Sequence, residues 1–330
     1  MKALALLSGG LDSILSAKVV KDLGVEVIGL NFVIPFSHKN KNGLVDIAEQ
    51  ARNIGIELIK INLGEEFLQI VRKPRHGYGA NVNPCIDCKI LMFKKAKELM
   101  PEQGASFLIS GEVLGQRPMS QNRKSLKLIE QEAGVEGILL RSLCAKLMPE
   151  TLPEQKRWVE RNKLYAFNGR SRNAQFELAE KLGIKEYQGP AGGCLLTDPE
   201  FGKRLRDLKK HSGLDMDSVK LLKYGRHFRL SSEVKLVVAR NEEECVELTR
   251  LAQAGDYIFY PDAETAGPTA MLRGKIELVQ IQLSSDIICR YFDLKNSNSS
   301  AIIYRIIPQP EEKIIQATKI SEEELVKYRI

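Results

Sequence analysis

The sequence has no apolar run of the ~18 residues that a membrane-spanning helix requires, so no membrane partner is expected. Its first residues resemble a strand and not a signal peptide, which predicts a cytoplasmic protein. It has one tryptophan, Trp158, expected to pack in a core, and four histidines, of which only His76 is a site candidate. Neither a Gly-Lys-Ser/Thr phosphate loop nor a G-x-G-x-x-G pattern follows its early glycines, which excludes the two commonest nucleotide motifs.

The totals describe an ordinary globular chain with a basic bias. Of its 330 residues, 43% are hydrophobic and 28% charged, enough for two domains. Lys and Arg exceed Asp and Glu by 49 to 42, and this net charge of +7 favours a polyanionic partner. Six cysteines in a cytoplasmic chain argue against a disulfide framework, so their spacing becomes informative.

A glycine turn close to the N-terminus is the first chemical feature. The apolar run 3–7 predicts a strand, and the helical spacing of 14–23 predicts a helix that stops at Gly24. A strand–turn–helix of this kind directs backbone N–H groups and a helix dipole at one point, which suits a phosphate. An acid among these residues needs a metal or a donor between itself and a phosphate. The residues expected at the nucleotide are Ser8, Gly9, Gly10, Asp12 and Ser13.

The strand and helix order predicts the fold class of the first part. Strands expected at 25–32 and 56–61 flank a helix expected at 44–54. This alternation predicts an α/β fold with a doubly wound, mostly parallel sheet. Ligands of such sheets bind beyond the carboxyl ends of the strands. Nucleotide contacts are therefore also expected from Leu30, Asn31 and Phe32, and from Gly111 after the strand expected at 106–110.

A polar segment follows the strand at 106–110, where the site should lie. Its side chains are candidates for substrate contact, although a solvated loop explains them equally well. The candidates are Glu112, Gln116, Arg117, Ser120 and Gln121, together with His76 from the basic loop 72–84.

Three cysteines form the second chemical feature. Cys85 and Cys88 open a helix predicted to run to Met100 and to stop at Pro101. At a helix N-terminus the dipole should lower both thiol pKa values. Cys194 lies in the loop 189–199, whose glycines Gly192 and Gly193 predict a close approach to the cysteine pair.

The cysteine count leaves three kinds of site open. Three thiolates and His76 would complete a tetrahedral zinc site. Three thiolates alone would hold a 4Fe–4S cluster with one open iron. Without metal, one cysteine would carry a persulfide and another would resolve the disulfide.

The motifs together resemble a known enzyme family. Ser-Gly-Gly-Leu-Asp-Ser is similar to the pyrophosphate loop of the PP-loop ATP pyrophosphatases, which have the adenine nucleotide alpha hydrolase-like fold. With Asn-Pro-Cys-Ile-Asp-Cys-Lys and Pro-Ala-Gly-Gly-Cys-Leu-Leu-Thr, residues 1–200 resemble iron–sulfur-dependent tRNA thiouridine synthetases. This resemblance implies ATP, Mg²⁺ and a 4Fe–4S cluster as cofactors. It implies that Cys85, Cys88 and Cys194 are catalytic metal ligands and that Asp12 positions Mg²⁺ or pyrophosphate.

The rest of the chain is expected to bind RNA. Residues 201–225 predict a basic helical connector, and 226–330 a smaller α+β domain of short strands with one helix at 242–252. The segment 235–243 and Gly267-Pro268 before 272–274 resemble the RNA-binding domain of NFACT proteins. The Lys and Arg residues of 141–172 and 201–230 are expected to neutralise RNA phosphates.

These features predict an ATP-dependent tRNA sulfurtransferase that adenylates a uracil carbonyl and replaces its oxygen with sulfur. The expected partners are tRNA, a sulfur donor (hydrosulfide or a persulfide carrier) and a second copy of the chain in a homodimer. One alternative is a PP-loop enzyme that activates a small molecule for sulfur insertion or amidation. Another is a non-catalytic RNA-binding iron–sulfur protein, against which the intact pyrophosphate loop argues.

Overall fold

A computed structural model describes residues 1–37, 46–187, 194–294 and 297–330. The chain divides into two compact units, Met1–Asp198 and Pro199–Ile330. None of the helices in the described ranges combines the length and the apolar character needed to cross a membrane.

The first unit is a parallel sheet covered by helices. Its strands are β1 (Lys2–Leu6), β2 (Glu26–Val33), β3 (Glu57–Asn62), β4 (Phe107–Ile109) and β5 (Leu139–Leu140). Its helices are α1 (Leu11–Asp22), α2 (Ile47–Asn53), α3 (Glu65–Arg72), α4 (Cys85–Gln103), α5 (Arg123–Ala133), α6 (Leu152–Gln155) and α7 (Asn173–Lys181). The strand order is β3-β2-β1-β4-β5 with every pair parallel, which confirms the predicted doubly wound α/β fold.

The central strand is apolar on both faces because helices cover both. Ala3 and Ala5 join one hydrophobic core with α1, and Leu4 joins the other with Ile90 and Phe93 of α4. Side chains alternate between the two faces of a strand, so one short strand anchors both layers. The carboxyl ends of β1, β2 and β4 therefore lie side by side at one edge.

Two predicted helices differ from the structure. The helix of the cysteine pair does not stop at Pro101 but continues to Gln103. It ends at Gly104, whose φ of 63° allows the left-handed turn in which Ala105 N–H bonds Met100 O at 2.9 Å. The sequence also predicts a helix over 153–163, but a φ of 56° at Arg157 breaks it after α6, and only a short 3-10 turn follows at Arg161–Lys163.

The second unit is an antiparallel sheet with helices, as the predicted α+β domain requires. Its strands are β6 (Arg226–Arg229), β7 (Val234–Val238), β8 (Tyr257–Pro261), β9 (Ala270–Gly274), β10 (Ser299–Ile306) and β11 (Glu312–Thr318). Its helices are α8 (Pro199–His211), α9 (Met216–Leu221), α10 (Glu242–Leu251), α11 (Leu278–Cys289) and α12 (Glu322–Leu325). The sheet order is β11-β10-β8-β9-β7-β6. The stretch 201–225 holds most of α8 and all of α9 within this unit.

Candidate active site

The glycine turn between β1 and α1 has the strand–turn–helix geometry that the sequence predicts. Gly9 has a φ of 79°, which side chains rarely tolerate, and Gly10 precedes the first turn of α1. Ser13 Oγ donates to Gly10 O at 2.7 Å and accepts from Ser8 N–H at 3.3 Å. These bonds hold the loop in a tight curve at the helix N-terminus, where an anion is favoured.

Two amide side chains brace this loop from behind. Asn31 Nδ2 donates to Leu7 O at 2.9 Å, and Gln50 Nε2 donates to Gly9 O at 3.2 Å. Leu30, a predicted nucleotide contact, is fully buried in the core, so only its backbone is placed to meet a ligand. Its carbonyl already accepts from Leu7 N–H at 2.8 Å. Asn31 and Gln50 thus fix the curvature of the loop, and the sequence reasoning missed Gln50.

Asp12 has one engaged and one unengaged oxygen. Its Oδ2 accepts from Gln116 Nε2 at 2.6 Å and lies 3.3 Å from Arg172 Nη2. Gln175 Nε2 in turn donates to Gln116 Oε1 at 3.1 Å. The other carboxylate oxygen of Asp12, Oδ1, is buried and has no hydrogen-bond partner among the described residues. A buried carboxylate oxygen without a donor is a fit site for a hard cation such as Mg²⁺.

Gly111 brings the end of β4 against the first turn of α1. A Cβ built on Gly111 would lie 2.5 Å from the backbone carbonyl of Asp12, so only glycine fits without a shift. Ser16 Oγ adds a bond to Ser110 O at 2.9 Å. The residue after Gly111 therefore starts a loop directly beside the glycine turn.

The segment around Cys194 docks next to the Cys85–Cys88 helix. Leu195 N–H bonds Phe36 O at 2.9 Å, just beyond β2, and Val82 N–H bonds Leu196 O at 3.2 Å, just before α4. These bonds carry the third cysteine to the other two. The predicted glycines Gly192 and Gly193 lie outside the described residues.

The pKa values of the three thiols show that they influence one another. Burial, with a contribution from the charges of Cys194 and Cys85, raises the pKa of Cys88 to about 12. Burial and Cys85 likewise raise the pKa of Cys194 to about 11. The predicted lowering by the helix dipole is therefore wrong for the free thiols, because desolvation outweighs the dipole. Lys89 and Arg117 oppose the rise at Cys85.

Asp87, between the two cysteines, fastens the preceding loop to the helix. Its carboxylate accepts from Arg75 N–H and His76 N–H, both at 3.1 Å. The ring of His76 lies 3.1 Å from Glu132 Oε1. Over the described ranges, no three His, Cys, Asp or Glu side chains are arranged to share one metal ion.

Glu112 is the centre of a buried ionic cluster. Its carboxylate lies 2.6 Å from Lys89 Nζ and 2.9 Å from Arg141 Nε, and Arg141 also pairs with Glu130. Burial alone would raise the pKa of Glu112, but Lys89 and Arg141 lower it to about 2. Because Lys89 follows Cys88, this cluster ties the cysteine helix to the ends of β4 and β5. With 3% exposure, Glu112 has these ion pairs as its evident role.

The other predicted substrate contacts divide by exposure. Arg117 is exposed and close enough to affect the pKa of Cys85 and Cys194. Ser120 and Gln121 are buried, and Gln121 O accepts from Gly115 N–H at 2.7 Å, which closes the loop on itself.

Several basic residues predicted to face RNA are neutralised within the chain. Arg161 pairs with Glu154, and Arg229 binds Asp207 through two nitrogens at 3.1 and 2.6 Å. Arg141, in the ionic cluster above, is 3% exposed. Arg141 is therefore buried away from a phosphate, whereas Arg161 and Arg229 would have to share their charge between a carboxylate and a phosphate.

Sequence reasoning missed four further residues of the site. They share the task of holding a predicted residue in place and are Lys89, Arg141, Arg172 and Gln175. The role of Arg141 could have been predicted from the sequence, since an arginine within the apolar run 137–143 indicates a buried ion pair.

Both predicted family resemblances are confirmed by comparison with family models. Residues 1–146 match the model described as thiamine biosynthesis protein (ThiI), and residues 225–329 match the NFACT protein RNA binding domain. The chain therefore contains one domain of each family.

Individual relatives match this chain only over part of their length. A probable tRNA sulfurtransferase of Thermococcus kodakarensis is 32% identical over 139 residues, covering 39% of this chain and 34% of the relative. The tRNA-specific 2-thiouridylase MnmA of Tropheryma whipplei is 33% identical over 97 residues, 27% of each chain. This chain thus spans about a third of these relatives. A 4-thiouridine synthetase–RNA complex with bound ATP has a TM-score of 0.38 at 22% identity, covering 67% of this chain and 52% of that one.

Proposed function

We propose that the protein is an ATP-dependent tRNA sulfurtransferase that makes thiouridine, with Cys85, Cys88 and Cys194 as ligands of a 4Fe–4S cluster. The observation that carries the proposal is the docking of the Cys194 segment beside the cysteine helix. It brings three thiols together in the domain that has the pyrophosphate loop. The packing of Gly111 on Asp12 and the ion pair of Glu112 with Lys89 connect the two features through adjacent residues.

The loop residues would bind the phosphates of ATP. The N–H groups at the start of α1 supply donors at one point, and the hydroxyls of Ser8 and Ser13 would exchange their present bonds to Ser13 Oγ and Gly10 O for bonds to phosphate oxygens. Asp12 would hold Mg²⁺ through its unpartnered Oδ1, and the ion would offset phosphate charge. Gln116 and Arg172 keep the other oxygen oriented.

The reaction then needs two displacements. A uracil carbonyl oxygen attacks the α-phosphorus, forming an O-adenylated base and releasing pyrophosphate. The loop donors stabilise the charge that develops on the phosphate oxygens. Sulfur from the donor attacks the activated carbon, and AMP leaves with the former carbonyl oxygen.

Three thiols support a cluster of several iron atoms more than a single metal ion, for which the described residues form no site. Three thiols without a further protein ligand are the set that leaves one iron of a 4Fe–4S cluster open. When bound, that cluster supplies an iron site for exogenous sulfur. The chain's own contribution is to hold the partly buried thiols and to place the Arg117 guanidinium near Cys85 and Cys194, where its charge opposes the rise of their pKa.

Nucleoside analysis in a deletion strain tests the function. One thiolated uridine should disappear from tRNA and return with the wild-type gene. Asp12→Asn should not restore it, because loss of one electrostatic contact of this kind costs about 10²–10³ in rate. Asp22→Asn is the matched control and should restore it, because exposed Asp22 lies at the far end of α1, where it pairs with Lys18. An unchanged tRNA nucleoside profile in the deletion strain would overturn the proposal.

A further inference from the structure

We propose that a cavity in the second unit binds one unpaired base of the RNA, stacked on the guanidinium of Arg226; this rests on the proposed function. The cavity has a volume of about 380 Å³. It lies between the end of the sheet and the start of α10. Its lining includes Arg226, Glu242, Cys245 and Tyr291.

Arg226 is held as a flat platform. Its guanidinium carbon lies 4.7 Å from the centre of the Tyr291 ring, and its Nη1 donates to Ala239 O at 3.0 Å. The Tyr291 ring covers one face of the Arg226 guanidinium, and the carbonyl of Ala239 holds one of its edges. The opposite plane is the kind of surface on which splayed-out RNA bases stack.

Polar groups around this platform match the edge of a base better than a polyphosphate. Tyr291 has a buried hydroxyl with no hydrogen-bond partner among the described residues. Glu242 contributes a carboxylate to the wall, which repels a multiply charged anion but accepts from amino groups of bases. Arg240 also lines the cavity but pairs with the Glu244 carboxylate through Nε at 2.9 Å, whereas no described carboxylate pairs with Arg226, the cation left for the ligand. An RNA base with a singly charged backbone fits this balance, and a nucleoside triphosphate does not.

The far wall is rigid, so the cavity is preformed. A Cβ on Gly267 would lie 2.3 Å from the Phe292 ring, which shows how closely the loop at Gly267 and Pro268 packs. Asp293 N–H bonds Ala266 O at 2.8 Å and fastens the same loop. Preformed walls reduce the ordering cost of binding.

A second cavity in the same unit provides a matched comparison. It measures about 310 Å³ and is lined by Tyr260, Arg305 and Glu312 among others. Here the tyrosine hydroxyl is satisfied, since it donates to Glu312 Oε1 at 2.5 Å. Tyr260 and Glu312 thus satisfy each other, and no base is expected to bind.

The test uses the full chain and an unmodified tRNA transcript. By fluorescence anisotropy, Arg226→Gln should weaken binding about 10-fold, as loss of one stacked base does. Arg305→Gln removes the same charge from the second cavity and should change affinity less than about 2-fold, because an arginine outside the proposed base site contributes little beyond screened charge.

Cys245 gives a readout on the wild-type protein that needs no folded variant. Cys245 is partly exposed and lines the cavity. Its alkylation by N-ethylmaleimide is measured by peptide mass spectrometry, with buried Cys289 as the internal reference. Saturating tRNA should slow alkylation of Cys245 several-fold, and a saturating fully paired RNA duplex should not. Unchanged alkylation under bound tRNA, or equal protection by the duplex, would overturn this inference and leave RNA binding intact. Failure of tRNA to bind at all would overturn both it and the proposed function.

Discussion

The two units each bury a cluster of charged side chains, and the clusters are built on opposite principles. In the first unit Lys89 and Arg141 face Glu112 and Glu130, two cations against two carboxylates. In the second unit one carboxylate, Asp207, faces Arg229 at 2.6 Å, Lys235 at 3.6 Å and His211 at 3.9 Å.

The pKa values follow from this difference in balance. Two cations hold the pKa of Glu112 near 2 although it is buried. In the second unit burial lowers the pKa of Lys235 to about 8, since Asp207 only partly offsets it and Arg229 repels it. Where buried cations and carboxylates are equal in number, removing any one of them leaves a charge unpaired and lowers stability. Where cations outnumber carboxylates, removing a cation that lacks a full partner removes a desolvation cost.

Arg141→Met should break the first cluster and produce the largest loss of stability. Glu112 would lose one of its two cations and Glu130 its buried partner, and breaking such a pair costs about 3–5 kcal/mol. Trp158, the single tryptophan, stacks near Phe107 at 6.3 Å, so its fluorescence during chemical denaturation reports on this unit.

The control for this variant is an ion pair on the surface of the same unit. Lys95→Met removes the partner of Glu66 at 2.9 Å and should cost less than about 1 kcal/mol. Equal effects of Arg141→Met and Lys95→Met would show that the buried cluster does not hold α4 to the sheet.

Lys235→Met should leave the second unit as stable or make it more stable by about 1 kcal/mol. Arg229 keeps its two bonds to Asp207, and a buried charge is replaced by an apolar chain of similar length. Hydrogen exchange of peptides covering β7 measures the effect. Arg229→Met is the matched control and should destabilise, because Asp207 then keeps only the distant lysine and histidine.

Stability against pH should differ between the clusters in a smaller but diagnostic way. The lowered pKa of Glu112 means that its contribution is present above about pH 4.5 and is lost as pH falls towards 2. In the second unit the lowered pKa of Lys235 marks a cost of burying its charge, and this cost is relieved as pH rises. There the unfolded chain binds more protons between about pH 8 and 10.5, so stability rises with pH across that window.

The two pH effects can be measured separately. Trp158 fluorescence between pH 2 and 5 reports the first, and the Arg141→Met variant should show a weaker dependence. The stability difference between wild type and Lys235→Met should shrink as pH rises from 8 to 9.5. A constant difference would contradict the assignment of a buried, charged Lys235.

The spacing of apolar residues and the positions of turn residues predicted the strands and the glycine turn of the first unit. Strands β1 to β4 and the glycine turn were predicted within one or two residues. Helix α3 was missed, although Phe67, Leu68 and Val71 have helical spacing and are buried. The prediction of a single helix, at 242–252, in the second domain is wrong, because Leu278–Cys289 also forms a helix, α11, at whose start Leu278 and Val279 are largely exposed.

Tertiary partners could not be read from local patterns. The meeting of Cys194 with the cysteine helix was predicted from glycines, but the hydrogen bonds through Phe36 and Val82 depend on the fold. The direction of the thiol pKa shifts was mistaken because burial is a property of packing. Arg172 at Asp12 lies 160 residues along the chain, and no spacing rule connects them.

Sulfur transfer in vitro tests the central claim that the pyrophosphate loop and the three cysteines serve one reaction. The protein, reconstituted anaerobically with iron and sulfide, is incubated with ATP and unmodified tRNA, and thiolated uridine and pyrophosphate are both quantified. Wild type and Cys289→Ala, which alters a buried thiol of the second unit, should form both products. Cys194→Ser should still release pyrophosphate but form no thiolated uridine. Thiolation at the wild-type rate by Cys194→Ser would contradict the account.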